Sequence, residues 1–228
     1  MPFSNFFSTQ NLLNLLFLIP IFLISLSVHE YCHGYVAYRL GDDTAKYMGR
    51  LTLNPIRHID VFGLLMVIFV GFGWAKPVPV NPNRFKKPRQ GMAITAAAGP
   101  LSNLCMALIG VILLNALKVA QYYTVGNAAS GVNIFSIAGT FLYYFSFMNF
   151  AMMILNLIPI PPLDGYRIAS YFLPDKIYFA LAKIEQFSFV VLFALIFLGI
   201  GTLISDGANA LFNGVDSALV SLISLFIR

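Results

Sequence analysis

From Asn11 to Val28 the chain runs eighteen residues without a charge, and the apolar pattern continues through His29-Glu30-Tyr31-Cys32-His33 to about Leu40. A run of about 20 apolar residues is long enough to cross the hydrocarbon layer as a helix. In lipid only helices and closed barrels satisfy their own backbone. The run therefore predicts a membrane helix, bent but not ended at Pro20. The pattern recurs at 92–117, where Gly99-Pro100 is expected to break it, and at 132–158, which ends in prolines. Residues 187–204 read as a fourth span. Residues 208–228, with Asp216 among them, either span or lie flat on the surface. Only 10% of residues are charged, against about a quarter in a soluble domain, so most of the surface must meet lipid. The expected fold is an all-α integral membrane protein, a polytopic helix bundle in a single domain over residues 1–228. Its core covers about 12–185, with C-terminal helices in 187–228.

Between the first two spans the character changes. Residues 41–60 are polar and turn-rich, and Arg50–Leu53 reads as a short strand. Val61 to Trp74 is apolar but too short for a confident span, with Arg50 and Arg57 before it and Lys76 and Arg84 after it. That predicts a segment which dips into the membrane and returns. Ala75-Lys-Pro-Val-Pro-Val80 must be extended, because Pro77 and Pro79 fix φ and lack donors. The result is a re-entrant and extended element around residues 50–80.

Charge sets the orientation. Nine of the 14 Lys and Arg lie between Arg39 and Arg89, and none precedes Arg39. The absence of a basic start argues against a conventional secretory signal. The basic loops mark the cytoplasmic side, with the N-terminus outside. Because these charges flank apolar segments, they serve membrane orientation rather than nucleic-acid binding, and the expected partner is the lipid bilayer. Counting spans returns the chain after residue 158 to the cytoplasmic side, so a multi-pass cell-membrane protein is expected. Residues 166–186 should be cytoplasmic or interfacial.

The chemistry is concentrated in His29-Glu30-Tyr31-Cys32-His33. Histidines at i and i+4 share a helix face and can bind one Zn²⁺ ion through ring nitrogens. Glu30 lies on a different bearing, suited to a general base toward a zinc-activated water. Chance could place two His and a Glu on a soluble helix. Here two of only three histidines fall at the end of an apolar run. Ionisable groups in that setting cost about 2.5–3.5 kcal/mol each unless they have a purpose or partner. A third protein ligand is needed. The candidate is Asp164, in Asn156-Leu-Ile-Pro-Ile-Pro-Pro-Leu-Asp164-Gly165, which topology returns to the membrane side where the first span ends. The prolines should leave the chain extended there, with Gly165 allowing a turn. The alternative is an ordinary Asp-Gly turn, which accounts for the glycine but not for the prolines.

With these two motifs in this order, the chain resembles the site-2 protease family, in its small prokaryotic form without a PDZ or CBS domain. Gly49-Arg-Leu-Thr-Leu-Asn-Pro55, Trp74-Ala-Lys-Pro-Val-Pro-Val80 and Gly99-Pro-Leu-Ser-Asn103 are similar to family sequence as well. The resemblance covers about residues 12–185. It implies one zinc per chain held by His29, His33 and Asp164, with Glu30 catalytic. It also implies that Asn156 lies near the site, where its amide can orient substrate or stabilise an oxyanion. The implied activity is that of a zinc metalloendopeptidase in regulated intramembrane proteolysis. Its substrates would be membrane-spanning or membrane-anchored proteins, with the active site toward the cytoplasmic side.

Other polar groups carry less. Asn103 either faces the site, as a further substrate or oxyanion group, or bonds a neighbouring helix. His58 reads as a loop residue, Cys32 as a small packing residue, and Phe141–Phe150 as lipid or helix packing. A membrane metal-ion transporter or metal-binding protein would also place His and Asp in a bundle. It has no use for a non-ligating Glu30 and would show acidic residues along a path. An inactive relative would have lost Glu30 or Asp164.

Overall fold

The computed structural model describes residues 9–70, 74–124, 134–174, 176–177 and 187–225. Three helices are long and apolar enough to cross a membrane: α1 (Thr9–Arg39), α4 (Pro88–Thr124) and α5 (Ile134–Leu157). The other helices are α2 (Thr44–Tyr47), α3 (Val61–Val70), α6 (Asp164–Phe172), α7 (Ser188–Phe197) and α8 (Ile200–Ser224). The chain is an all-α, multi-pass membrane protein, and no strand occurs among the described residues.

Side-chain pairing fixes the register of the bundle. Going down α1 from His29 to His33, the partners on α4 run backwards from Asn103 to Thr95, so these two helices are antiparallel. Phe17 meets Phe141 and Ser25 meets Asn149, so α1 and α5 run parallel, both against α4. At the α4–α5 crossing a Cβ on Gly110 would strike the Ser146 hydroxyl, so a small residue there lets the backbones close in. Around that crossing Ala107, Val111 and Leu114 of α4, Phe150 of α5, and Ala208 and Phe212 of α8 form an apolar core. Asn115 and Lys118 on α4 reach Asp216 Oδ1 on α8, at 2.8 and 2.9 Å.

Several local expectations are corrected. Pro20 lies inside a continuous α1, as expected, but Gly99-Pro100 does not break α4 either. Neighbouring helices supply the packing that lets a helix continue through a proline in lipid. The single span at 187–204 divides instead at Gly199, whose φ of +81° is left-handed and ends α7. Residues 200–224 then form one helix, α8. Arg50–Leu53 is not a strand: Arg50 N–H donates to the Ala45 carbonyl and Thr52 N–H to the Arg50 carbonyl, so local turns take the donors a ladder needs.

The re-entrant expectation is supported by pairing a few residues further on. Ile59 forms an isolated antiparallel bridge with Ala75, and Lys76 N–H donates to the His58 carbonyl at 3.0 Å. The chain thus leaves at residue 60 and comes back beside its starting point. Between these, α3 has ten residues, about 15 Å of helix, roughly half the hydrocarbon thickness. Residues 71–73, 125–133 and 178–186 lie outside the described residues, so parts of the expected 61–74, 120–131 and 166–186 segments do as well.

Candidate metal centre

The end of α1 turns His29, Glu30 and His33 into the bundle, all three buried. His29 and His33 stand one helical turn apart, with Nε2 atoms 2.9 Å from one another. Asp164 Oδ2 lies 3.2 Å from each. Among the described residues this is the one group of three side chains able to hold a metal ion. A tetrahedral zinc with bonds of about 2.0–2.1 Å needs donor atoms about 3.3 Å apart, so the spacing suits it.

Protonation strengthens that reading. His29 Nδ1 meets Asn103 Oδ1 at 2.6 Å and His33 Nδ1 meets the Thr95 carbonyl at 2.7 Å. Both partners are acceptors, so each neutral ring carries its hydrogen on Nδ1 and turns a lone pair inward from Nε2. Asp164 Oδ2 is buried and takes no hydrogen bond. Three lone-pair atoms about 3 Å apart in a buried site repel unless a cation sits among them.

Gly99 makes room for this arrangement. A Cβ there would lie 2.5 Å from His29 Cε1 and from both Cε1 and Nε2 of His33. The glycine serves close approach of α4 to the two imidazoles. Pro100 lacks the N–H that would bond the Ala96 carbonyl, and Thr95, in that preceding turn, supplies the carbonyl that His33 uses.

Asp164 arrives differently from the sequence expectation. It is the first residue of α6, not part of an extended turn, with Leu163 as an extended cap before it. A carboxylate in the first helical turn is also favoured by the helix dipole. Gly165 does not adopt positive φ; a Cβ there would fall on the Leu157 carbonyl. It lets α6 close on the end of α5, bringing Asp164 under the histidines.

Glu30 stands apart from the triad. Its Oε2 accepts the Val78 N–H at 2.7 Å. Within Pro77-Val78-Pro79 that is the sole backbone donor, because the prolines have none. The same strap is tied elsewhere: Arg50 Nη2 donates to the Lys76 and Pro77 carbonyls at 2.6 and 3.2 Å. Asp42 Oδ2 accepts from Asn81 N at 2.6 Å. His58 is fully buried, with Nε2 donating to the Thr52 carbonyl at 2.8 Å, so it holds the loop as expected.

Asn103 both faces His29 and bonds a neighbouring helix. While Oδ1 faces His29, Nδ2 donates to Asn149 Oδ1 at 2.9 Å. Asn156 Nδ2 donates to the Met152 carbonyl of its own helix at 3.0 Å. Sequence reasoning missed Asn149, although an amide inside the apolar run Phe141–Phe150 was a visible signal, since a buried polar group in lipid needs a partner. It also missed Val78, whose significance follows from being the lone donor between two prolines.

Comparison with known proteins agrees with this geometry. Residues 17–199 match peptidase family M50. YwhC of Bacillus subtilis (strain 168), assigned as a zinc metalloprotease, is 39% identical over 186 residues, 82% of each chain. Rip2 of Mycolicibacterium smegmatis, assigned likewise, is 31% identical over 214 residues, covering 87% of this chain and 74% of that one. No solved structure is a significant match. A match of this length, to a family whose metal chemistry the buried donor set fits, identifies the chain as a zinc metalloprotease of the membrane: it belongs to peptidase family M50.

Proposed function

We propose that the protein is an intramembrane endopeptidase that hydrolyses peptide bonds in membrane-spanning or membrane-anchored proteins, from a site toward the cytoplasmic side. The observation that carries this reading is the separation of Glu30 from the ligand triad. Its carboxylate is held by Val78 beside, not within, the group of His29, His33 and Asp164. A transporter has no use for that arrangement.

In this reading His29, His33 and Asp164 hold the zinc. When bound, the metal supplies Lewis-acid polarisation and makes water easier to deprotonate. Glu30 receives the proton of the attacking water on its free oxygen and then passes it to the leaving amine. The Val78 N–H keeps the other oxygen fixed, so the base does not swing onto the triad. Asn156 has one amide hydrogen committed to Met152 and a second with which to steady the substrate carbonyl as it gains negative charge. A substrate helix has its carbonyls occupied by its own hydrogen bonds, so it must unwind locally before attack.

Depth supports the intramembrane setting. His29 lies 17 residues, about 26 Å of helix, beyond Leu12, and ten before Arg39. If the basic loops are cytoplasmic, reporter fusions at positions 58 and 83 will give the same compartment; opposite compartments would overturn the orientation. The activity itself is tested with detergent-purified protein and single-span substrates. Cleavage inside or at the edge of the span, lost with a zinc chelator and restored by zinc, is the expected result. Chelator-insensitive cleavage, or cleavage confined to soluble peptides, would refute it.

A further inference from the structure

We propose that Asn149, on α5, is a positioning residue of the metal centre that acts through Asn103 to make His29 present Nε2 as its ligand atom. The inference rests on the reading of His29 as a zinc ligand.

One chain of hydrogen bonds leads to His29, and its direction is set at its far end. Asn149 Nδ2 lies 2.8 Å from the Phe145 carbonyl and 2.9 Å from Ser25 Oγ. A backbone carbonyl can only accept. The amide of Asn149 must therefore turn its nitrogen toward Phe145, because the flipped form would set oxygen against oxygen. That leaves Asn149 Oδ1 facing Asn103, where it can only accept. Asn103 must then offer Nδ2, at 2.9 Å, and its own Oδ1 is left facing His29 Nδ1 at 2.6 Å. An acceptor there requires the hydrogen of His29 on Nδ1 and its lone pair on Nε2.

Asn103, Asn149 and Ser25 are fully buried, so water cannot replace a lost member of the chain. His33 needs no such relay, because its Nδ1 donates directly to a backbone carbonyl, that of Thr95. An amide has one donor end and one acceptor end, and by itself Asn103 offers either of them to His29. Asn149 removes the choice. The three residues sit on α1, α4 and α5, so ring orientation is coupled to the seating of all three spans.

The test uses the full-length, zinc-loaded protein in detergent. Asn149→Leu is expected to lower zinc affinity by about 10–100-fold, the usual cost of losing a partner behind a ligand. With only three histidines in the chain, ¹⁵N-histidine spectra resolve each ring. The Nδ1 proton of His29 should shift and exchange faster, while that of His33 stays as it was. Asn103→Asp offers the imidazole an acceptor whichever way it faces, so in that background Asn149→Leu should cost little more. Asn149→Val, smaller than leucine and likewise without an acceptor for Asn103 Nδ2, carries the same affinity test should the leucine variant not fold. Unchanged zinc affinity, equal disturbance of His29 and His33, or an undiminished loss in the Asn103→Asp background would each overturn the proposal. His29→Ala measured alongside separates the two readings: retention of zinc by that variant would defeat the ligand assignment itself.

Discussion

Glu30→Gln is expected to retain zinc and to lose proteolysis by about 10²–10⁴-fold, the usual contribution of a positioned general base. The glutamine keeps nearly the same shape, and its amide oxygen can still accept the Val78 N–H that Glu30 Oε2 accepts at 2.7 Å. Local structure is thus preserved while the proton acceptor is lost. Asp164→Ala forms the contrast. It removes the oxygen lying 3.2 Å from both histidines and leaves a site of two nitrogens, so zinc binding itself should fail. The two variants should agree in inactivity and differ in metal content, measured on the same purified preparations. Near wild-type cleavage by Glu30→Gln would refute the mechanism. Loss of zinc from Glu30→Gln as complete as from Asp164→Ala would make Glu30 a ligand and revive the transporter reading.

Gly99→Ala should be nearly as damaging, although it adds a single methyl group and touches no ligand atom covalently. The new Cβ would lie 2.5 Å from three ring atoms of His29 and His33. Either both imidazoles rotate or α4 withdraws from α1. In both cases the bonds to Asn103 and the Thr95 carbonyl are broken together. Losing one such partner costs about 10–100-fold in metal affinity, so disturbing two should cost on the order of 100-fold or more. Gly214→Ala is the matched control. A Cβ there meets nothing within 4 Å, and alanine in a helix is favoured over glycine by about 0.5–1 kcal/mol. Isothermal titration of zinc into the two apo variants checks the pair. Wild-type affinity in Gly99→Ala would show that the close approach is not what shapes the site.

The arrangement also explains the strap at residues 75–80. Pro77 and Pro79 have no N–H to donate, so between them Val78 is the one backbone tie to Glu30. Arg50 and Asp42 anchor its flanks from buried positions. An extended segment held by charged side chains keeps its place without a sheet around it. That is why the element is stable although no strand forms among the described residues.

The sequence by itself determined the three long spans, the all-α class and the pairing of His29 with His33. These follow from local quantities: the length of an uncharged run, the cost of charge in lipid, and the 3.6-residue turn that stacks i on i+4. Asp164 was reachable too, because membrane topology is counted along the chain. What tertiary structure decided were the roles that depend on neighbours distant in sequence. Gly99 and Gly165 read locally as a break and a turn, yet both serve close approach, to the histidines and to the Leu157 carbonyl. Asn103 could not be assigned from its own helix, because its amide meets His29 on one side and Asn149 on the other. An amide's direction, like a glycine's purpose, is set by the groups packed against it, and those come from other helices.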